Sequence, residues 1–270
     1  MRYKILILGA SYGSLLGTKF AAAGHDVTLV CRSETADLIN LKGTDVRIKL
    51  RDEDIHRSFL SGSLKGTTTA VTPQIANPKN YDLVCLAMQE PQYSHPSLKD
   101  LLILIIKSNV ACMSIMNMPP LTYLKRIPSL DISKLRGAFF NFTIWDEFDP
   151  KLMTLCSPDP QAFRPPDKPP NILHVGLPTN FKVSKFNEPT LDAMLENLAH
   201  DVDAYKIAGK DVPVKLRVFD SPFVPFAKWA MLATGNYRCI TKEGPRSIHD
   251  AVYSDIEKSK QIYDFVNKMI

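Results

Sequence analysis

Residues 9–17 read GASYGSLLG, and with the segment TKFAAAGH they join two apolar runs, YKILIL at 3–8 and DVTLVC at 26–31. Short apolar runs bounded by turn residues are typical of strands in a covered parallel sheet. The residues between them, SLLGTKFAAAG, have the composition of a helix, and Gly24 stands where a helix ends in a left-handed residue. A strand, a helix and a second strand within about 30 residues predict a right-handed βαβ unit.

The turn after the first strand departs from the pattern G-x-G-x-x-G, whose glycines let a pyrophosphate approach a helix N-terminus. Gly9 takes the first position, and Ser11 takes the second with a small side chain that adds a hydroxyl donor. The third falls to Gly13, one residue early, or to Ser14, with Gly17 available for helix packing. A tight strand-to-helix turn that binds nothing is the alternative. We predict a dinucleotide-binding turn made of Gly9, Ala10, Ser11, Tyr12, Gly13 and Ser14.

The end of the second apolar run indicates which dinucleotide is bound. It reads VCRSE at 30–34, about 20 residues after the turn, where an acidic residue would hold a ribose 2′-hydroxyl. Arg32 and Ser33 stand there instead. Because an arginine beside a hydroxyl suits a 2′-phosphate, the sequence predicts NADP rather than NAD. The alternative for Arg32 is a solvated surface charge after a strand.

Two further apolar runs, YDLVCLA at 81–87 and VACMSIM at 110–116, continue the alternation of strand-like and helix-like segments. We therefore predict an α/β fold in which residues 1–180 form a Rossmann domain, a doubly wound and mainly parallel sheet. Eight prolines between 149 and 178 break any helix. That segment is predicted to be a connection of loop and edge strand.

Residues 181–270 are predicted to form a smaller, mainly helical domain that serves substrate binding or dimerisation. Its three helical patterns are EPTLDAMLENLAHDVDAY, SPFVPFAKWAMLATGNYRCI and the C-terminal residues 249–270. Pro189 and Pro222 stand near the first helical positions, where proline is favoured. We expect the site in the crevice between the two domains. The last pattern carries a stripe at steps of four and three: Val252, Ile256, Ser259, Tyr263, Val266 and Ile270.

The composition of the 270-residue chain argues against several classes of protein. The net charge is +5 with scattered basic residues, which favours a small anionic ligand over nucleic acid. The five cysteines are odd in number and widely spaced, and the six histidines are dispersed, so we predict neither a disulfide framework nor a metal site. The stretch LLILII at 101–106 is too short for a membrane span. No leader pattern opens the sequence, and we expect a cytoplasmic protein without a membrane partner.

These segments resemble the ketopantoate reductase family, which belongs to the 6-phosphogluconate-dehydrogenase-like Rossmann proteins. Residues 4–34 are similar to that family's opening throughout, apart from one residue missing in the turn. YDLVCLAMQEPQY and SIMNMPP resemble two further strand ends, which implies cofactor contacts at Gln89 and Asn117, with the family's glutamine kept as Gln92. SPFVPFAKWAMLATGN resembles a helix with one lysine and two asparagines at intervals of four, which implies Lys228 and Asn236 as catalytic residues.

The resemblance implies an NADPH-dependent reduction of a 2-oxo acid or a related carbonyl compound. Lys228 would polarise and protonate the carbonyl oxygen, and Asn236 would orient the substrate. A uniform α-helix would place both residues and Leu232 on one stripe, because they follow one another at intervals of four. The alternative for Lys228 is a solvated helix lysine. A homodimer is a further expectation.

Departures from the family pattern keep a second function open. Gln89 replaces a lysine, Met118 replaces a glycine, and Leu232 replaces the first asparagine of the helix. Ile262 stands where the family has a carboxylate, and Glu257 lies one turn and a half earlier. These replacements favour a Rossmann protein that binds NADP without turnover, as a redox sensor or a binding subunit. A short-chain dehydrogenase is excluded, because no Y-x-x-x-K pattern occurs in the sequence.

Overall fold

A computed structural model of the chain describes residues 1–269, which divide into two compact units, Met1–Asp220 and Ser221–Ile270. The helices of the first unit are α1 (Tyr12–Ala23), α2 (Ser33–Lys42), α3 (Pro96–Ser108), α4 (Leu121–Leu124), α5 (Phe142–Glu147) and α6 (Pro189–Ala204). Its strands are β1 (Lys4–Leu8), β2 (Asp26–Val30), β3 (Asp45–Lys49), β4 (His56–Leu60), β5 (Thr68–Val71), β6 (Leu83–Leu86), β7 (Ala111–Ser114), β8 (Met153–Ser157), β9 (Gln161–Phe163), β10 (Ile172–Leu177), β11 (Phe181–Ser184), β12 (Lys206–Ile207), β13 (Lys210–Asp211) and β14 (Leu216–Phe219).

The main sheet of the first unit has eight strands in the order β5–β2–β1–β6–β7–β8–β11–β14. Every neighbouring pair is parallel except β8 and β11. The four strands predicted from the apolar runs, β1, β2, β6 and β7, are neighbours in this sheet, and the fold class is confirmed. The chain builds outward from β1 to β5 and then returns to β6 on the other side of β1. The gap between β1 and β6 is therefore the point where the strand order reverses.

Burial explains why these strands read as continuous apolar runs. In β1, residues 5–8 are completely buried, as expected for a strand covered on both faces. Helix α1 ends at Gly24, whose left-handed φ of 104° confirms the predicted stop. Gly17 faces the sheet from α1: a Cβ there would lie 3.0 Å from Cγ1 of Val27. Glycine at this position therefore brings α1 close to the strands beneath it.

A second sheet, in the order β4–β3–β10–β9, shows that the proline-rich segment is more ordered than predicted. The expectation of loop and edge strand for 149–178 holds for β9, which is an edge strand. It is wrong for β8, which lies inside the main sheet with all five residues buried, and for β10, which lies between β3 and β9. The prolines flank β8 and leave 153–157 free to donate to the sheet.

The compact units divide at Asp220, 40 residues later than the predicted boundary at 180. Residues 181–219 supply β11 and β14 to the main sheet, and α6 packs against α1. The predicted helix that begins at Pro189 is present, but it belongs to the first unit. A helical pattern does not reveal which core it packs on, so the boundary was placed too early.

The second unit is mainly helical, with α7 (Lys228–Met231), α8 (Ile248–Tyr253), α9 (Ile256–Met269) and a hairpin of β15 (Ile240–Thr241) and β16 (Gly244–Pro245). A π-helical turn at Leu232–Asn236 interrupts the predicted helix 221–240. The predicted helix 249–270 is broken after Tyr253. Of its stripe, Ser259 and Val266 are buried, whereas Ile256 and Tyr263 are exposed, and Ile270 lies outside the described residues. Within 1–269, no helix is both long and apolar enough to cross a membrane.

Candidate functional site

A cleft of about 1020 Å³ opens in the first unit at the carboxyl ends of β1, β2, β5 and β6. Residues 9–11, 30–33, 72–74 and 87–88 line it, and each group directly follows one of those strands. The start of α3 forms another wall through Ser94, His95, Ser97 and Leu98. Clefts at the carboxyl edge of such a sheet, where the strand order reverses, are the usual ligand sites of doubly wound folds.

The glycine-rich turn contributes Gly9, Ala10 and Ser11 to this cleft. Gly9 has a φ of 110°, and a Cβ added there would lie 2.8 Å from the carbonyl oxygen of Ala87. Only glycine therefore lets the turn approach the end of β6. Ser11 precedes α1, whose first backbone N–H groups have no intrahelical acceptors. The turn presents hydrogen-bond donors and the positive end of the helix dipole to the cleft.

Three predicted cofactor-binding residues support the turn and are not among the residues that line the cleft. Gly13 faces β1: a Cβ there would lie 2.7 Å from Cγ2 of Ile7. Gly13 thus serves helix packing, and its place in the cofactor-binding turn stays a prediction. The Ser14 hydroxyl donates to the carbonyl of Ala10 at 2.6 Å, and the Tyr12 hydroxyl donates to the carbonyl of Pro160.

Two arginines give the cleft its positive charge. Arg32 follows β2 as predicted and is exposed, and Arg164, which follows β9, reaches the same cleft half-buried. Burial, and secondarily the neighbouring Arg32, lowers the pKa of the Arg164 guanidinium. Burial raises the pKa of the Cys31 thiol to about 11, although Arg164 and Arg32 act in the opposite direction. The Cys31 thiol is therefore protonated and uncharged at neutral pH, and the two arginines leave this part of the cleft positively charged.

The remaining predicted cofactor residues follow β6 and β7 along the same edge of the sheet. Gln89 is exposed, and its backbone N–H donates to Oε1 of Gln92 at 2.8 Å. Gln92, rather than Gln89, is among the residues that line the cleft. Asn117 follows β7 and is half-buried, and it is not one of the lining residues. The structure thus brings Gly9, Ala10, Ser11 and Arg32 together and leaves Gln89 and Asn117 beside them.

In the second unit, Lys228 opens α7 and Asn236 ends the π-helical turn. Leu232 between them is 8% exposed, whereas Asn236 is exposed. A π turn closes its hydrogen bonds at i+5 rather than i+4, so this segment departs from the uniform α-helix on which the shared stripe was predicted. The shared stripe of Lys228, Leu232 and Asn236 stays a prediction. Single π turns are frequent at functional sites of helices.

Glu257, one turn and a half before the family's carboxylate position, does not lie in a buried site of the second unit. Glu257 is exposed on α9 and pairs with Lys260 at 2.9 Å, and Ile262 is half-buried. Among residues 1–269, no group of three His, Cys, Asp or Glu side chains is arranged to hold a metal ion.

Several cleft residues were missed from the sequence. Residues 72–74 follow β5, a four-residue strand whose sequence TTAV is short and only half apolar. Ser94, His95 and Ser97 stand before and in the first turn of α3, and the Pro96 that begins this helix was the available signal. Arg164 lies between prolines in a segment that was predicted to be a connection, and nothing in its local sequence marks it.

Comparison with known proteins agrees with this geometry for the first part of the chain. The profile of the family described as ketopantoate reductase PanE/ApbA matches residues 5–117, from β1 to the end of the turn after β7. Residues 5–117 are a ketopantoate reductase-family domain. This domain holds the glycine turn, Arg32 and every cleft residue except Arg164. No curated protein matches the sequence.

Solved structures extend the likeness in fold beyond the family domain. A protein assigned as a ketopantoate reductase, from Ralstonia solanacearum MolK2, has a TM-score of 0.60 at 14% identity over 89% of this chain and 67% of its own. D-mandelate dehydrogenase, in a ternary structure with NADH and anilino(oxo)acetate, has a TM-score of 0.55 at 15% identity over 88% of this chain and 64% of its own. 2-Dehydropantoate 2-reductase from Methylococcus capsulatus has a TM-score of 0.55 at 13% identity over 96% and 79%. The chain spans about two thirds of the length of the first two.

Proposed function

We propose that the cleft binds a nicotinamide dinucleotide, and that this cofactor is NADP. One observation carries the proposal: a glycine turn, a helix N-terminus and two arginines meet at the point where the strand order of the sheet reverses. The cleft volume of about 1020 Å³ is at the upper end of the range for small-molecule sites. The structure of D-mandelate dehydrogenase, which contains NADH, has a similar fold and supports the same class of cofactor.

The residues present fit the parts of this cofactor. Backbone donors of 9–11 and the start of α1 would hold the pyrophosphate. Arg32 would bind the 2′-phosphate, a charge-assisted contact worth about 1.5–3 kcal/mol. The buried Nε–H of Arg164 has no acceptor among the described residues, so this donor is available to bind an anion in the cleft. When bound, NADPH supplies a hydride.

The proposed reaction is the reduction of a 2-oxo acid or a related carbonyl compound, in line with the family of residues 5–117. In this proposal, Lys228 polarises the carbonyl oxygen and protonates it, and Asn236 orients the substrate. Leu232 is buried and carries no hydrogen-bonding group in its side chain. A substrate hydroxyl facing it would be left unpaired at a cost of ~1–3 kcal/mol, so the preferred substrate is less polar than ketopantoate.

A second candidate function is NADP binding without turnover. The π turn between Lys228 and Asn236 favours it, because the segment departs there from a uniform α-helix. The replacements at Gln89 and Met118 favour it as well, since they remove a cation and a glycine from the family pattern.

Steady-state oxidation of NADPH against a panel of 2-oxo acids separates the two functions. The reductase proposal expects turnover that falls by about 10²–10⁴-fold in Lys228→Ala, because positioned general acids contribute that much. Lys242→Ala, an exposed lysine of the same unit, is the matched control and keeps the wild-type rate. Binding of NADPH without turnover of any 2-oxo acid would establish the second function instead.

A further inference from the structure

We infer that Arg164 and Arg32 form a two-arginine clamp for a phosphomonoester, the 2′-phosphate of the bound dinucleotide. The inference rests on the proposed function and names a residue that selects its cofactor. Arg164 lies outside residues 5–117, so the family domain alone does not contain it. It comes from the second sheet, whereas Arg32 follows a strand of the main sheet.

Arg164 is held in place by the glycine turn itself. Its Nη2 donates to the carbonyl oxygen of Ala10 at 2.7 Å, and the same oxygen accepts from the Ser14 hydroxyl. Pro160, the residue just before β9, accepts a hydrogen bond from the Tyr12 hydroxyl through its carbonyl oxygen. This bond connects the same segment to the start of α1. The guanidinium therefore occupies a fixed position between the turn after β1 and the end of β2. A preorganised guanidinium loses little entropy when it binds an anion.

The two arginines give the cleft an excess of positive charge, which a bound anion would neutralise. Arg47 and Arg57, elsewhere in the second sheet, each pair with a carboxylate, Asp45 at 2.8 Å and Glu53 at 2.5 Å. Arg164 and Arg32 form no such ion pair among residues 1–269, and they lie close enough for the charge of Arg32 to lower the pKa of Arg164. Two neighbouring cations without a carboxylate favour a dianion between them.

The donors that remain suit a phosphomonoester better than a phosphodiester. The Nε–H of Arg164 is buried and has no acceptor in the described part of the chain, while its Nη2 is already engaged. A phosphomonoester carries close to two negative charges at neutral pH and three acceptor oxygens, enough to accept from two guanidinium groups. A pyrophosphate diester has one charge on each phosphorus and is already matched by the turn and α1.

Isothermal titration of 2′,5′-ADP and 5′-ADP tests the clamp without requiring turnover. The variant is Arg164→Gln, whose side-chain amide still offers a donor to the Ala10 carbonyl, with Arg164→Ala as a second variant. We expect either to weaken 2′,5′-ADP binding tenfold or more and 5′-ADP binding less than twofold. Arg57→Ala, from the same sheet but outside the cleft, is expected to change neither affinity.

Three results would overturn the inference. Equal losses for both nucleotides would mean that Arg164 holds the pyrophosphate or only the turn, and unchanged affinities would mean that it binds no phosphate. In both cases wild-type binding shows that the proposed function survives. Wild-type protein that binds neither nucleotide would defeat the inference and the proposed cofactor together. A normal thermal transition of Arg164→Gln shows that any loss is not due to unfolding.

Discussion

Replacing Lys19 by methionine should abolish a specific pH dependence of the stability of the first unit. Lys19 lies on α1 and is 1% exposed. Its Nζ donates to the carbonyls of Val212 at 3.3 Å and Pro213 at 2.8 Å. Burial, with a further contribution from Lys215, lowers the pKa of Lys19 to about 7, and Asp203 acts in the opposite direction. A buried ammonium on the central helix is therefore a cost of folding at neutral pH.

The direction of this pH dependence follows from the protons bound by Lys19 in the folded and unfolded chain. Between pH 7 and about 10.5 the unfolded chain keeps the Lys19 proton and the folded chain releases it, so the free energy of unfolding rises with pH. Each pH unit well inside that window contributes about 1.4 kcal/mol, and the step from pH 7 to pH 9 contributes about 2 kcal/mol, because Lys19 of the folded chain is half titrated at pH 7. Below pH 7 both states are protonated, and the full penalty applies.

The assay is urea unfolding followed by circular dichroism at pH 7, 8 and 9, in wild type and Lys19→Met. The difference in unfolding free energy between them should shift by about 2 kcal/mol in favour of wild type over this range, while other titrating groups cancel in the difference. Lys99→Met, an exposed lysine on α3, is the control and should show no shift. A pH-independent difference for Lys19→Met would refute the reasoning, because it would mean that the lysine stays charged on its two carbonyls.

Two further substitutions test the packing around the cleft. The buried carboxylate of Glu90 accepts hydrogen bonds from the N–H groups of Phe140 and Asn141 and from the Trp145 indole, at 2.9–3.1 Å. Glu90→Gln should therefore lower the free energy of unfolding, measured by urea titration, by about 3 kcal/mol. An unchanged midpoint would show that these donors find other acceptors. Gly13→Ala should destabilise the protein by about 1–3 kcal/mol, since its Cβ would lie 2.7 Å from a methyl of Ile7. Calorimetry measures this loss, with Gly137→Ala as the control because a Cβ at Gly137 meets open space. Equal melting temperatures for the two variants would contradict that account.

The sequence was sufficient for the parts of the fold in which local pattern and environment agree. Strands β1, β2, β6 and β7 are covered on both faces, so their continuous apolar runs predict them directly. Gly9 and Gly24 adopt positive φ values that L-residues avoid, so these two glycines mark the two ends of the turn–helix segment. Arg32 could be placed because it follows one of these strands.

The remaining features depend on contacts between distant segments. β8 is central although prolines flank it, because position in a sheet depends on its neighbours β7 and β11 rather than on its own composition. Arg164 reaches the turn through the pairing of β9 with β10, some 150 residues after Ala10. The π turn at 232–236 follows an α-helical pattern in sequence, and only the structure shows that it interrupts the helix between Lys228 and Asn236.

We propose that NADPH binds this cleft with its 2′-phosphate on Arg32. Fluorescence titration of NADPH and NADH into wild type and Arg32→Ala measures this contact. We expect saturable binding, with NADPH affinity at least tenfold lower in Arg32→Ala and NADH affinity nearly unchanged, since about 1.4 kcal/mol corresponds to tenfold and the contact is worth about 1.5–3 kcal/mol. No saturable binding of either cofactor, or equal losses of both in the variant, would contradict it.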